Sequence, residues 1–367
     1  MSYNWQLPGW PNFRYNLEEV QLIILKFAKE TGEINGILQA LPEEMQLENL
    51  LQLMLSEAIK TSEIEGEYLS REDVMSSIRN NLGLNESPVT IKDQQAADIG
   101  RLILEVRRSY HEPLSVIMLK YWHQLLMQNA KKISAGEWRA GTQAMLVVSG
   151  AYGKEIVHYE APPSIQVANE MLRFVDWFNS VEFGWGGDVA EAVLRAAIGH
   201  IYFESIHPFE DGNGRIGRAI AEKALSFSLG RPVMLSLSKA IEKDRNRYYA
   251  ELKKAQAGLE ITGWINYFAS IILEAQQDAK IMVQFTLKKT LFYDRYKSQL
   301  NERQLKVINK MLASGADGFE GGITAAKYMR IAKISKATAT RDLQYLHEIG
   351  VLLQEGLGRS VRYQLLV

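Results

Sequence analysis

The chain has 367 residues, 47% apolar and 23% charged, with a formal net charge of −1 at neutral pH. This is the make-up of a soluble globular protein of two or three domains, and it excludes a chain that coats nucleic acid or membrane over its whole surface. With no cysteine, disulfides, thiolate zinc sites and cysteine nucleophiles are excluded too.

Residues 1–15 read as an irregular arm, with Trp5, Pro8, Trp10 and Pro11 close together and aromatic rings to dock on the main body. The start has no basic segment followed by an apolar run, and no run is long enough to span a bilayer. The expected location is the cytoplasm, with no membrane partner. From Leu17 the pattern is helical: Val20, Ile23, Ile24 and Phe27 recur at helical spacing, Pro42 breaks the run, and a second helix ends near Gly66. Residues 80–90 read as a loop and subdomain boundary. Helices resume near Asp93. Residues 136–163 break the trend, with "MLVV", "SGAYGKE" and "IVHY" predicting two short strands around a glycine-bearing turn. Helices then fit 164–180, 188–206, 213–229, 243–257 and 262–283. From Asn301 the order is helix, helix, helix, hairpin, a winged helix-turn-helix pattern. The expected domains are 1–92, 93–285 and 286–367, mainly α in class.

The stretch "HPFEDGNGRIGR" runs from His207 to Arg218. Pro208 pushes His207 out of helical geometry, which leaves an imidazole at a helix terminus as a general base. Gly212 and Gly214 let backbone N–H groups face an anion where the next helix begins. Arg215 and Arg218 share a helical face, and guanidinium forks suit phosphate oxygens. Asp211 would repel phosphate unless Mg²⁺ lies between them. The residues together describe a Mg²⁺–nucleotide site with a base beside it. The six histidines form no HExxH pattern, which disfavours a zinc enzyme. His200 reads as a satisfied core histidine.

The stretch matches the Fic (Fic/Doc) signature HPFx(D/E)GNGRxxR at every specified position. "GEWR", the hairpin ending "APP" and "RNRYYAELKKAQAGLEITGWINYF" extend the resemblance over roughly residues 100–280. The opening "YNWQLPGWPNFRY" also resembles an N-terminal region found in a subset of Fic proteins. The resemblance implies an all-helical Fic fold with a β-hairpin flap, and transfer of AMP from ATP to a Ser, Thr or Tyr hydroxyl. It implies His207 as the base and Asp211 as the Mg²⁺ ligand. Gly212, Asn213 and Gly214 become the anion cradle, with Arg215 on the β-phosphate and Arg218 on the γ-phosphate. Ile216 and Gly217 complete the nucleotide-binding block. Asp244, where many relatives have Asn, and Tyr249 are expected near the nucleotide, with Tyr248 or Tyr249 in the core. The hairpin around 145–160 corresponds to the flap on which a target protein docks; a capping hairpin without a ligand is the other reading.

"TSEIEGE" (61–67) resembles the family's inhibitory motif (S/T)xxxE(G/N) through Thr61, Glu65 and Gly66. By that resemblance Glu65 reaches Arg218, competes with the γ-phosphate, and also orients water for AMP removal. In the C-terminal module, Ser335 would cap a recognition helix whose Lys336, Thr338 and Arg341 reach DNA, with Arg359 and Arg362 on the wing. Protein contact or a homodimer is the other use of that module. The alternative to an autoinhibited adenylyltransferase is a DNA-binding regulator with the Fic fold as nucleotide sensor.

Overall fold

The structure is a computed structural model describing residues 2–149, 156–181, 187–315 and 318–366. In chain order come a 3-10 turn Asn4–Gln6, then α1 (Gln21–Ala40), α2 (Glu43–Ile64), α3 (Arg71–Asn81), α4 (Gln94–Arg108) and α5 (Val116–Met127). Strands β1 (Leu146–Ser149) and β2 (Ile156–Glu160) follow, then α6 (Ser164–Ser180), α7 (Gly187–Ile206), α8 (Asn213–Ser228), α9 (Leu237–Lys243), α10 (Arg245–Ala255) and α11 (Thr262–Tyr296). The chain closes with α12 (Glu302–Leu312), α13 (Ala325–Ala332), α14 (Lys336–Glu348), β3 (Leu352–Glu355) and β4 (Arg362–Leu365). The molecule is therefore mainly helical. Its sheets among the described residues are two antiparallel hairpins, β1–β2 and β3–β4. No helix among these residues is long and apolar enough to cross a membrane.

The chain divides into two compact units, residues 1–32 with 50–279 and residues 33–49 with 280–367. In the first, α7 and α8 make the central helical hairpin. Every residue of α7 from Ala192 to Ile206 is buried, because the helix is apolar on all sides rather than along one stripe. Two of its polar side chains, Arg195 and His200, find partners inside. Arg195 donates to Val181 O at 2.6 Å and Ser228 Oγ at 2.7 Å. His200 Nε2 lies 2.7 Å from the Tyr248 hydroxyl, and its ring stacks on Trp264 and Phe268. His200 thus belongs to the core.

The N-terminal arm docks as its aromatics predict. Trp10 meets Tyr202 edge-on with centroids 5.1 Å apart and donates to Glu170 at 2.8 Å. Trp5 donates to the Glu160 carbonyl at 2.7 Å, and Asn4 donates to Ser205 Oγ at 2.8 Å. Such ring pairs contribute about 0.5–1.5 kcal/mol each beyond area burial.

Two elements depart from the sequence pattern. The helix expected over 243–257 is α10, and a separate short helix, α9, precedes it. Asp244 divides them: its backbone (φ −141°, ψ 66°) is not helical, and its carboxylate caps α10 by accepting from Arg247 N at 3.1 Å. Helix α11 runs past the expected end at 283 to Tyr296. Phe285, Leu287, Leu291 and Phe292 continue the apolar pattern, with no Gly or Pro to stop it.

In the second unit, Asn301 and Gln304 form the expected capping box of α12, and Thr324 and Ser335 cap α13 and α14. Val307, Ile308, Tyr328, Leu343, Leu346 and Tyr363 belong to its buried core. Ile323 and Tyr363 exchange backbone hydrogen bonds of 2.8 and 2.9 Å, which tie the hairpin to the segment before α13.

Candidate active site

The site forms where α7 turns into α8. Helix α7 stops before Pro208, and His207 takes φ +50°, a left-handed conformation uncommon for a side chain of its size. That strain is held from both sides. His207 N donates to Phe203 O at 2.9 Å, and its carbonyl accepts from Arg139 Nε at 2.7 Å. Arg139, from the "GEWR" stretch, is 4% exposed and also donates to the Pro162 and Ile206 carbonyls and to Ser164 Oγ.

The next residues lock the loop. Phe209 stacks on His123 with centroids 3.8 Å apart. Asn213 folds back, accepting from Phe209 N and donating to Phe209 O, both at 2.9 Å. Its side chain thus holds the loop's shape. His123 accepts from Gly136 N on Nδ1 at 2.8 Å, and its Nε2 lies 3.2 Å from the Asp211 carbonyl. Burial lowers its pKa to about 4, so the ring is neutral and Nε2–H donates. Gly212 sits at φ +80°, a conformation that favours glycine.

Beyond the loop begins α8, whose first-turn N–H groups have no acceptor within the helix. Gly214, Arg215 and Arg218 lie on its first two turns. Arg218 is 1% exposed. Its Nε donates to Thr61 Oγ1 at 2.8 Å, and its Nη2 donates to Thr61 O at 2.9 Å and to Glu65 Oε1 at 2.8 Å. Burial works against its charge, but the Glu65 carboxylate outweighs this and holds the guanidinium protonated. Arg215 pairs with Glu67 at 2.6 Å and lies 3.6 Å from Asp211 Oδ1. Two buried nitrogens, Arg218 Nη1 and Arg215 Nε, have no partner among the described residues. Any Cβ on Gly214 would collide with Glu65 Oε1, so this glycine admits the carboxylate to the helix N-terminus. Gly66, at φ +83°, turns the chain just after Glu65.

A cavity of about 550 Å³ opens beside these groups. Glu65, Glu204, His207, Gly214 and Arg218 line one part of it, and Asn246, Tyr248, Tyr249 and Leu252 another. Val147, Val148 and His158 bring the hairpin to the same cavity. Tyr249 is 42% exposed at its edge, while Tyr248 is buried against His200. Asp244 is not among the lining residues; Asn246 is. Ile216 and Gly217 are not among them either: Ile216 is fully buried, and Gly217 gives space to Glu204 and His200. The hairpin's turn, residues 150–155, lies outside the described residues. Three residues that the motif reading missed stand out: Glu67, Arg139 and Glu204. Glu67 is a third acid in a segment read only for Glu65, and Glu204 lies one helical turn before His207.

In the second unit, Lys336 and Arg341 are exposed on α14, while Thr338 is half-buried with its hydroxyl 3.0 Å from Ser335 Oγ. Arg362 pairs with Glu355 at 2.9 Å. Nothing is described of the Arg359 side chain.

The site thus sets an imidazole and two arginines with unpartnered buried nitrogens around the start of one helix in a helical domain. Residues 113–225 match the family model described as Fic/DOC family, so the centre of this chain is a Fic/DOC domain. Residues 3–84 match a model described as a domain of unknown function, DUF4172. The chain is similar to "Protein adenylyltransferase fic-1" of Caenorhabditis briggsae, 30% identical over 43% of this chain and 27% of that protein. It is also similar to "Protein adenylyltransferase Fic" of Drosophila yakuba, 29% identical over 40% of this chain and 26% of that protein. The match thus spans only about a quarter of these relatives' length. Among solved structures, a Fic family protein from Desulfovibrio desulfuricans superposes with TM-score 0.54 at 20% identity, covering 97% of this chain and 98% of that one. A Fic domain-containing signaling protein from Bacteroides thetaiotaomicron gives TM-score 0.53 at 19% identity, covering 72% and 97%. These likenesses establish the Fic fold.

Proposed function

We propose that this protein is an adenylyltransferase that moves AMP from ATP to a Ser, Thr or Tyr hydroxyl of a target protein. The observation that carries the reading is Arg218, a buried guanidinium with one unpartnered nitrogen, lining the same cavity as the base His207. Orphaned buried donors are costly unless an anion completes them. The similar proteins named as adenylyltransferases support the same reaction.

In this reading the phosphates lie at the N-terminus of α8, with Arg215 and Arg218 stabilising charge on them. His207 takes the proton of the attacking hydroxyl. Asn213 and His123 keep the 209–213 loop in shape, and Tyr249 borders the adenine. The residues also fit Mg²⁺. The Asp211 carboxylate is 61% exposed, and no cluster of three metal-ligating side chains occurs among the described residues. A metal there would draw its other ligands from phosphate and water, as Mg²⁺ does, and would neutralise phosphate charge. The target's backbone would add to the β1–β2 hairpin.

The contact of Glu65 with Arg218 supports autoinhibition in this reading, in which the carboxylate competes with the γ-phosphate for the guanidinium. Glu65 at the cavity edge would also orient water for removal of AMP. Labelled ATP tests the assignment: transfer of the α-phosphate label to protein, dependent on His207, is expected. For the second unit we propose a winged helix that docks DNA through α14, since Lys336 and Arg341 are exposed on it. A salt-dependent shift of DNA by the full chain, lost in Lys336→Ala/Arg341→Ala, tests this.

A further inference from the structure

His207 has a buried partner. Glu204 lies three residues earlier on α7, and its Oε2 is 3.7 Å from His207 Nδ1, with side-chain exposures of 6% and 15%. The other oxygen, Oε1, has no hydrogen-bond partner among the described residues. A carboxylate in such a place needs a compensating charge. Among its titratable neighbours are His200 on α7, His207 just after it, Arg218 on α8, Tyr248 and Tyr249 on α10, and Tyr159 on β2. Arg218 is engaged by Thr61 and Glu65. Burial depresses the pKa of His200, and its Nε2 bonds Tyr248, so that ring stays neutral. His207 is the neighbour within ion-pair distance.

A second observation points the same way. Any Cβ on Gly217 would collide with Glu204 Oε1 and crowd the His200 ring. The glycine in "GRIGR" therefore leaves space on α8 for the Glu204 carboxylate. Gln256 Nε2 donates to the Glu204 carbonyl at 3.2 Å and fixes its backbone. Burial alone would raise the Glu204 pKa, but the nearby His207 and the charges of His200 and Arg218 outweigh it and hold the carboxyl below its usual value.

We propose that Glu204 is a positioning residue that accepts the Nδ1–H of His207, leaving Nε2 as the base toward the attacking hydroxyl. The inference rests on the transferase reading above. The hydroxyl proton passes to Nε2 while its oxygen forms the new bond to the α-phosphorus. The bond from α-phosphorus to the bridging oxygen breaks, and pyrophosphate leaves with the electron pair. The carboxylate then faces an imidazolium, whose charge it stabilises. Contacts of this kind are often long without substrate and shorten in the reacting complex.

The test uses the full chain carrying Glu65→Gly, with Glu204→Gln and Glu204→Asp added singly. Glu204→Gln should cut kcat for α-label transfer roughly 10- to 100-fold and leave the KM for ATP within about twofold. It should also shift the acid limb of the pH–rate profile to lower pH, and Glu204→Asp should restore part of the rate. An unchanged kcat and acid limb, or a loss confined to KM, overturns the proposal. Nitrogen-15 NMR of His207 in the Glu204 parent gives an answer independent of folding in the variants. A neutral ring protonated at Nδ1 supports the proposal, and one protonated at Nε2 overturns it. If the Glu65→Gly parent transfers no label, the transferase reading fails, and the tautomer alone then decides whether Glu204 orients His207.

Discussion

Replacing Glu65 by glycine is expected to raise AMP transfer, and the geometry sets the size of the effect. Glu65 contributes one charge-assisted bond of 2.8 Å to Arg218, from a side chain 27% exposed beside a guanidinium 1% exposed. Thr61 keeps its own two bonds to Arg218, at 2.8 and 2.9 Å, so the guanidinium stays in place when the carboxylate leaves. A hydrogen bond to a charged group contributes about 2 kcal/mol, or roughly 30-fold in the competition between carboxylate and γ-phosphate. At subsaturating ATP the initial rate of α-label transfer should therefore rise by roughly that factor. Glu65→Gln, which keeps an acceptor without the charge, should fall between. Glu63→Ala is the control: Glu63 pairs with Lys60 at 2.5 Å, outside the site, and its loss should leave the rate alone. A rate unchanged in Glu65→Gly, or raised equally by Glu63→Ala, would refute the reasoning.

Other perturbations separate the parts of the site. His207→Ala should abolish transfer while leaving ATP binding by calorimetry within about twofold, since the phosphates rest on α8 and its arginines. Glu67→Gln should free Arg215 from its 2.6 Å pair and raise transfer further when combined with Glu65→Gly; a double variant no faster than the single would show that Arg215 gains nothing from release. Asn213→Ala strands the buried Phe209 N–H and C=O, and should cost about 3 kcal/mol in urea denaturation. Arg139→Lys removes the fork that holds the left-handed His207 backbone, and should lower kcat more than KM for ATP.

Most helices were legible in the sequence because local rules govern them, whereas the break between α9 and α10 and the end of α11 were not. Pro42 breaks a helix because it lacks an N–H, and Asn301 and Ser335 cap the starts of α12 and α14. The 207–218 stretch stood out in the sequence because its glycines and arginines share one turn and one helical face. The contact of Glu65 with Arg218, across 153 positions, entered only through resemblance to a motif. Glu204 and Arg139 went unread because their roles depend on packing: one is a carboxylate on a helix that looks wholly apolar, the other an arginine 68 positions from the backbone it holds. Asp244 has a structural role that its sequence context did not reveal. Its identity drew attention to the nucleotide, while its carboxylate caps α10 and Asn246 reaches the cavity.

The account turns on which phosphorus moves and which residue takes the proton. Parallel incubations of the Glu65→Gly protein with α-labelled and γ-labelled ATP, Mg²⁺ and a cell lysate decide both, with the Glu65→Gly/His207→Ala protein alongside. The account predicts protein-bound α label, no γ label, and loss of the α label without His207. Protein-bound γ label, or α label that persists in the His207→Ala variant, would contradict it.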